Sequence, residues 1–209
     1  MAPTRSLWTL EPVTLVFCAL SLLVLILARS VPSSFEFLAL LPASIVEKGY
    51  VWQLVSYALL PYSILSYLIL AGLIFWFAKY VEPWLGSLRY IALLIGSALA
   101  PALTYLFLAP APASALVGAV FVTSAVGVAF LVWSVLNRSG FGWPLKLFWF
   151  LAAGWVLYTV LASQLYLSAM HGAAWAVGSL VSVLAVRSRR ILPSNPALNT
   201  DAGRPHGAG

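Results

Sequence analysis

Six stretches of this chain, at roughly 12–28, 53–78, 88–108, 114–135, 145–166 and 168–186, run on with almost no charged residue. A helix needs about 20 apolar residues to cross the hydrocarbon core of a bilayer. Lipid cannot satisfy an open backbone, so runs of this length take the helical form. The sequence therefore predicts an all-α polytopic membrane protein, a bundle of six transmembrane helices over residues 1–187. The remaining stretch, 188–209, is rich in Pro, Gly and Asn without an apolar period and reads as a disordered cytoplasmic tail. Composition agrees: charged residues are 8% of the chain and hydrophobic ones 63%, whereas soluble domains carry about 25% charged residues. The first run, with Arg5 before it and "ARSVPSS" after it, is longer than the apolar core of a signal peptide and is read as a span. Cys18 is the single cysteine, so no intrachain disulfide forms.

The net charge of +6 is unevenly distributed. With six crossings, the side that holds both termini carries Arg5, Lys79, Arg89, Arg138, Lys146, Arg187, Arg189, Arg190 and Arg204, against Arg29 and Lys48 on the other. Such a bias places both termini in the cytoplasm, and a bacterial inner membrane is the expected location. The positive charge is thus a topology signal and not a nucleic-acid footprint. No Asp, Glu, Lys or Arg lies well inside any run, which argues against pumps and ion-coupled transporters, since these place charge at membrane depth.

His171 is the titratable exception, near the start of the sixth run. Beside it, Ala174, Gly178 and Ser182 recur every four residues, a small-residue stripe suited to close helix packing. The fourth run has a comparable face in Ser114, Gly118 and Ala125, and these two faces are expected to meet.

Four segments then share an order and spacing. "VWQ" at 51–53 contains Trp52, with Gln53 where an arginine would complete a Trp-Arg pair. "VEPWLGSLRY" at 81–90 contains Glu82, Gly86 and Ser87, then Arg89. "ALVGAVF" at 115–121 and "HGAAWAVG" at 171–178 follow. Together they resemble the rhomboid family, the six-helix intramembrane serine protease fold, over about Val51 to Gly178. The resemblance implies a nucleophilic serine opening the fourth helix and a histidine base on the sixth. It also implies an oxyanion-stabilising His-x-x-x-Asn pair on the second helix.

Carried over, the nucleophile position is Val117, the base position His171, and the oxyanion positions Ser66 and Leu70. Tyr57 and Pro61 stand where active bacterial members often have histidines. A valine has no nucleophilic atom, and Leu70 donates no hydrogen bond. Ser114, in "PASA", is the fallback nucleophile, with Ser124 and Ser168 behind it. A serine in a membrane helix more commonly bonds the carbonyl of its own preceding turn.

The expected protein is therefore a rhomboid-like pseudoprotease that binds or regulates transmembrane segments of client proteins. A divergent active rhomboid endopeptidase and an unrelated six-helix small-molecule permease are the alternatives. The resemblance implies a lateral gate between the second and fifth helices, and Pro61 and Gly72 are expected to interrupt the second. The aromatic residues of the fifth run (Phe148, Trp149, Phe150, Trp155, Tyr158) offer either lipid contact or a client-facing surface. The long first loop, Arg29 to Gln53, is expected to lie at the membrane interface. No metal or organic cofactor is indicated; lipid and transmembrane helices are the expected partners.

Overall fold

The computed structural model describes residues 11–108, 114–137 and 165–191. Its elements are α1 (Pro12–Ser30), α2 (Pro32–Leu38), α3 (Pro42–Lys48), α4 (Gln53–Ser56) with a 3-10 turn (Tyr57–Leu59), α5 (Ile64–Leu85), α6 (Ser87–Leu108), α7 (Ala119–Leu136) and α8 (Leu165–Ile191). Proline opens each of the first three helices, where its missing N–H costs nothing and its fixed φ suits the first turn. Among the described residues there is no strand beyond an isolated bridge between Leu40 and Leu116. Five helices are long and apolar enough to cross a membrane: α1, α5, α6, α7 and Tyr166–Ser188 of α8. Large apolar side chains stay exposed on their outer faces, among them Val16 and Leu23 on α1 and Leu65 and Leu68 on α5. That is the surface of an integral membrane protein whose solvent is lipid.

The second apolar run does not make one helix. Leu60, before Pro61, is extended (φ −95°, ψ 105°), as the residue preceding a proline must be to avoid its ring. Ser63 then caps α5. Pro61 therefore lies ahead of the helix, and Gly72 sits inside α5 without interrupting it. The helix continues to Leu85, beyond the apolar run, and buries Glu82 in its last turn at 2% exposure. The fourth run likewise becomes helical only from Ala119. Helix α8 extends past residue 187 to Ile191. The fifth run lies outside the described residues except for its last two, which begin α8. Residues 192–209 of the expected tail also lie outside them.

Side-chain pairs fix the direction of each helix. Glu82 meets Val13 and Thr14 at one end of α1, while Arg29 donates to the Tyr62 carbonyl at the other, so α1 and α5 are antiparallel. Gly86, at φ +79°, turns the chain from α5 directly into α6. Rings of Phe77 and Phe130 (5.3 Å) and of Tyr80 and Trp133 (4.8 Å) make α5 and α7 parallel. On α8, His171 meets Phe121 and Gly178 meets Ala125, so α8 runs in the same direction as α7. Against α6 it is antiparallel, with Val177 at Gly96 and Tyr166 at Tyr105.

Candidate functional site

The first turn of α7 is shaped by what is packed around it. Residues 114–118 precede the helix, and Leu116 forms the bridge to Leu40 through two backbone bonds of 3.0 Å. Gly118 N–H then donates to the Tyr57 carbonyl (2.9 Å). The Tyr57 ring is fully buried, and its hydroxyl donates to the Ala98 carbonyl at 2.7 Å. Burial pushes that phenol's pKa up, so it remains a donor. A Cβ at position 118 would overlap the Tyr57 ring. Gly118 is thus required by the approach of an aromatic ring to the helix start.

Val117, at the position matched to the nucleophile, is half-buried and packs with Leu60, Ala39 and Val24. His171 is buried at 7% exposure on α8, its ring centroid 4.8 Å from that of Phe121 and 6.2 Å from that of Trp175. Phe121 lies one helical turn beyond Val117, so the histidine faces α7 at that next turn. The N–H groups that flank Val117, those of Leu116 and Gly118, both bond internal carbonyls. An oxyanion requires preorganised donors aimed at empty space, and these two donors are aimed at Leu40 and Tyr57.

Ser66 and Leu70 are not brought together as a donor pair. Ser66 forms a capping box with Ser63: each side chain accepts the other's backbone N–H, at 2.7 and 3.1 Å. Leu70 lines a cavity of about 10 Å³ with Cys18, Ser21, Ala119 and Thr123, space for at most a single water. Ser114 is exposed, and its carbonyl accepts the Tyr105 hydroxyl. Ser124 bonds the Phe121 carbonyl within its own helix (2.9 Å).

On the packing side, Ala174 and Ser182 are fully buried, and a Cβ on Gly178 would come within 2.6 Å of the Ala125 carbonyl oxygen. Backbone-to-backbone contact of this kind is open only to the smallest residues.

The remaining motif residues organise the two membrane faces. Glu82 Oε1 accepts from Val13 N (2.9 Å), and Oε2 accepts from Thr14 N (3.1 Å) and Thr14 Oγ1 (2.7 Å). The carboxylate therefore caps the start of α1, where the helix dipole favours negative charge. Tyr90 Oη lies 3.1 Å from Thr14 Oγ1 and closes the group. Arg89 is exposed. At the opposite face Trp52 Nε1 donates to the Phe37 carbonyl (2.9 Å). Gln53, fully buried, accepts from Leu41 N (3.1 Å) and donates to the Glu36 carbonyl (2.8 Å).

Thr14, Tyr90 and Phe121 escaped the reading of the sequence. Each is an ordinary residue in an apolar run, made important by a partner more than fifty residues away or on another helix. Among the described residues no three His, Cys, Asp or Glu side chains are grouped to hold a metal ion. No protein-family model matches the chain, and no curated protein matches its sequence.

Proposed function

We propose that this chain is a rhomboid-like integral membrane protein of six crossings that lacks a catalytic serine and binds or regulates the transmembrane segments of client proteins. The observation that carries the reading is the packing at Val117. Where the resemblance expects a reactive hydroxyl, a methyl-branched side chain packs against Leu60, Ala39 and Val24, while His171 contacts Phe121 one turn further on.

The sixth crossing is supported by helix direction: α7 and α8 run the same way, as they do in a bundle with one further crossing between them in sequence. The apolar run from 145 is long enough to make that crossing. Six crossings put both termini on one side together with Arg89 and Arg187, as the positive-inside bias requires for a bacterial inner membrane. A client helix would displace lipid from the outer face of α5, where Ile64, Leu65, Leu68 and Ile69 are all more than half exposed. The aromatic residues of the fifth run, the other expected wall of a lateral gate, lie outside the described residues.

The test has two arms. The purified protein is treated with a serine-directed fluorophosphonate probe beside an active rhomboid, and a photo-crosslinking residue at Leu68 is used to capture neighbours in the membrane. The expected result is no labelled peptide and crosslinks to transmembrane segments of other proteins. A label on Ser114 or Ser66 that disappears in His171→Ala would overturn the reading in favour of a divergent protease.

A further inference from the structure

Between the end of α1 and the start of α5 the chain folds into a small unit, pinned by Trp52 and Gln53, that the function proposed above leaves without a ligand. Helices α2 and α3 and Tyr50 border an open surface cavity of about 430 Å³, lined by Ser33, Ser34, Glu36, Phe37, Ser44 and Lys48 besides the tyrosine. That volume falls in the range of roughly 300–1,000 Å³ common to small-molecule sites.

The walls are pinned. Gln53 ties Leu41 N to the Glu36 carbonyl, Trp52 Nε1 holds the Phe37 carbonyl, and Tyr50 N bonds the Ser44 carbonyl at 3.2 Å. Gly49, at φ +70°, makes the turn that brings Tyr50 back over α3. The rings of Phe37, Tyr50 and Trp52 cluster in tilted and edge-on contacts with centroids 4.5 to 5.6 Å apart. Aromatic clusters of this kind settle at the headgroup level of a bilayer. The unit joins the ends of two spans, so its cavity lies at that same level.

The charges in the cavity are complementary to a zwitterion. Glu36 and Lys48 both line it and both are exposed, with the Lys48 ammonium 5.9 Å from the centre of the Tyr50 ring. They are also the acidic and the basic side chain among its lining residues, accompanied by three serines. A primary ammonium donates charge-assisted hydrogen bonds to a carboxylate, and a phosphate accepts them from an ammonium and from hydroxyls. We infer that this cavity binds a phosphoethanolamine-type zwitterion, its amine on Glu36 and its phosphate on Lys48, Ser33 and Ser44, the Ser34 hydroxyl being already donated to the Leu27 and Val31 carbonyls. The site rests on the membrane placement of the chain and not on whether the fold has lost catalysis. It would fix the depth and tilt of the first loop by holding one lipid in a defined orientation.

The experiment is lipid retention by the intact, detergent-purified protein, read by native mass spectrometry. Phosphatidylethanolamine is compared with phosphatidylcholine and phosphatidylglycerol of the same acyl chains, and soluble O-phosphoethanolamine and inorganic phosphate are added as competitors. Phosphatidylethanolamine is expected to be retained about fivefold over the other two, the scale of one exposed ion pair. Glu36→Gln should abolish its advantage over phosphatidylglycerol, and Lys48→Gln should lower retention of all three. Both substitutions are at exposed positions and should leave the thermal unfolding midpoint unchanged. Displacement by O-phosphoethanolamine but not by phosphate would mean that the headgroup alone is recognised. Resistance to both would mean that the lipid is recognised through its glycerol and chains as well. Equal retention of the three lipids by the wild type, or wild-type retention by both variants, would overturn the inference.

Discussion

At the end of the bundle where α1 begins, a buried carboxylate gathers three donors from Val13 and Thr14. At the opposite end, where α7 begins, a tyrosine ring lies on a glycine and a valine fills an apolar pocket between α1 and the first loop. The first end is held by electrostatics and tolerates no loss of its acceptor. The second is held by shape and tolerates no added volume. The difference is instructive: one end is organised by polar partners brought from two helices, the other is closed by packing.

The largest expected effect tests the electrostatic end. Glu82→Ala takes the acceptor from the Val13 and Thr14 N–H groups, leaves Thr14 Oγ1 with Tyr90 alone, and should cost about 3 kcal/mol, seen as a lower thermal midpoint in detergent; Glu82→Gln, which keeps one carbonyl oxygen, should fall between. If Glu82→Ala unfolds like the wild type, the contrast between the two ends collapses. Next is Gly118→Ala, which forces a methyl group into the Tyr57 ring and should cost about 2 kcal/mol by overpacking. In a Tyr57→Ala background the same change should cost much less, and the coupling measured by that cycle sharpens the claim that the ring is what requires the glycine.

Val117→Ser comes third. It puts a hydroxyl into an apolar cluster and should cost about 1.5 kcal/mol. It should also gain no fluorophosphonate labelling, because the side chain packs towards Leu60 and Ala39. Labelling of that variant would mean that the site is closed only by the missing oxygen. The smallest effect is Ser66→Ala, about 0.5 kcal/mol for half of a capping box, with Ser63→Ala larger; a much greater loss would give Ser66 a role beyond α5.

Much of the architecture was legible because lipid imposes a length and a polarity on every segment that crosses it. The runs near 12–28, 88–108 and 168–186 each correspond to a helix within a few residues. The second run misled because apolar composition does not distinguish a span from a buried loop. Pro61 and Ser63 carried the boundary signal, and hydropathy drowned it. The burial of Glu82 was not legible for a related reason. Its carboxylate is compatible with a helix interior only through partners on α1, sixty-eight and sixty-nine residues away in sequence.

The candidate site divides in the same way. The sequence by itself determined that this is a helical membrane protein, that position 117 offers no nucleophilic atom, and that small residues on the last helix suit close packing. Each of these follows from side-chain chemistry or from the period of one helix. Only the tertiary structure decided that Gly118 answers to Tyr57, that Phe121 is the ring set against His171, and that α7 and α8 run in the same direction. Only the fold, too, brought Glu36 and Lys48 onto one cavity. These are contacts between elements distant along the chain or facing across a turn. Their energy depends on distance and orientation, which no local pattern of residues encodes.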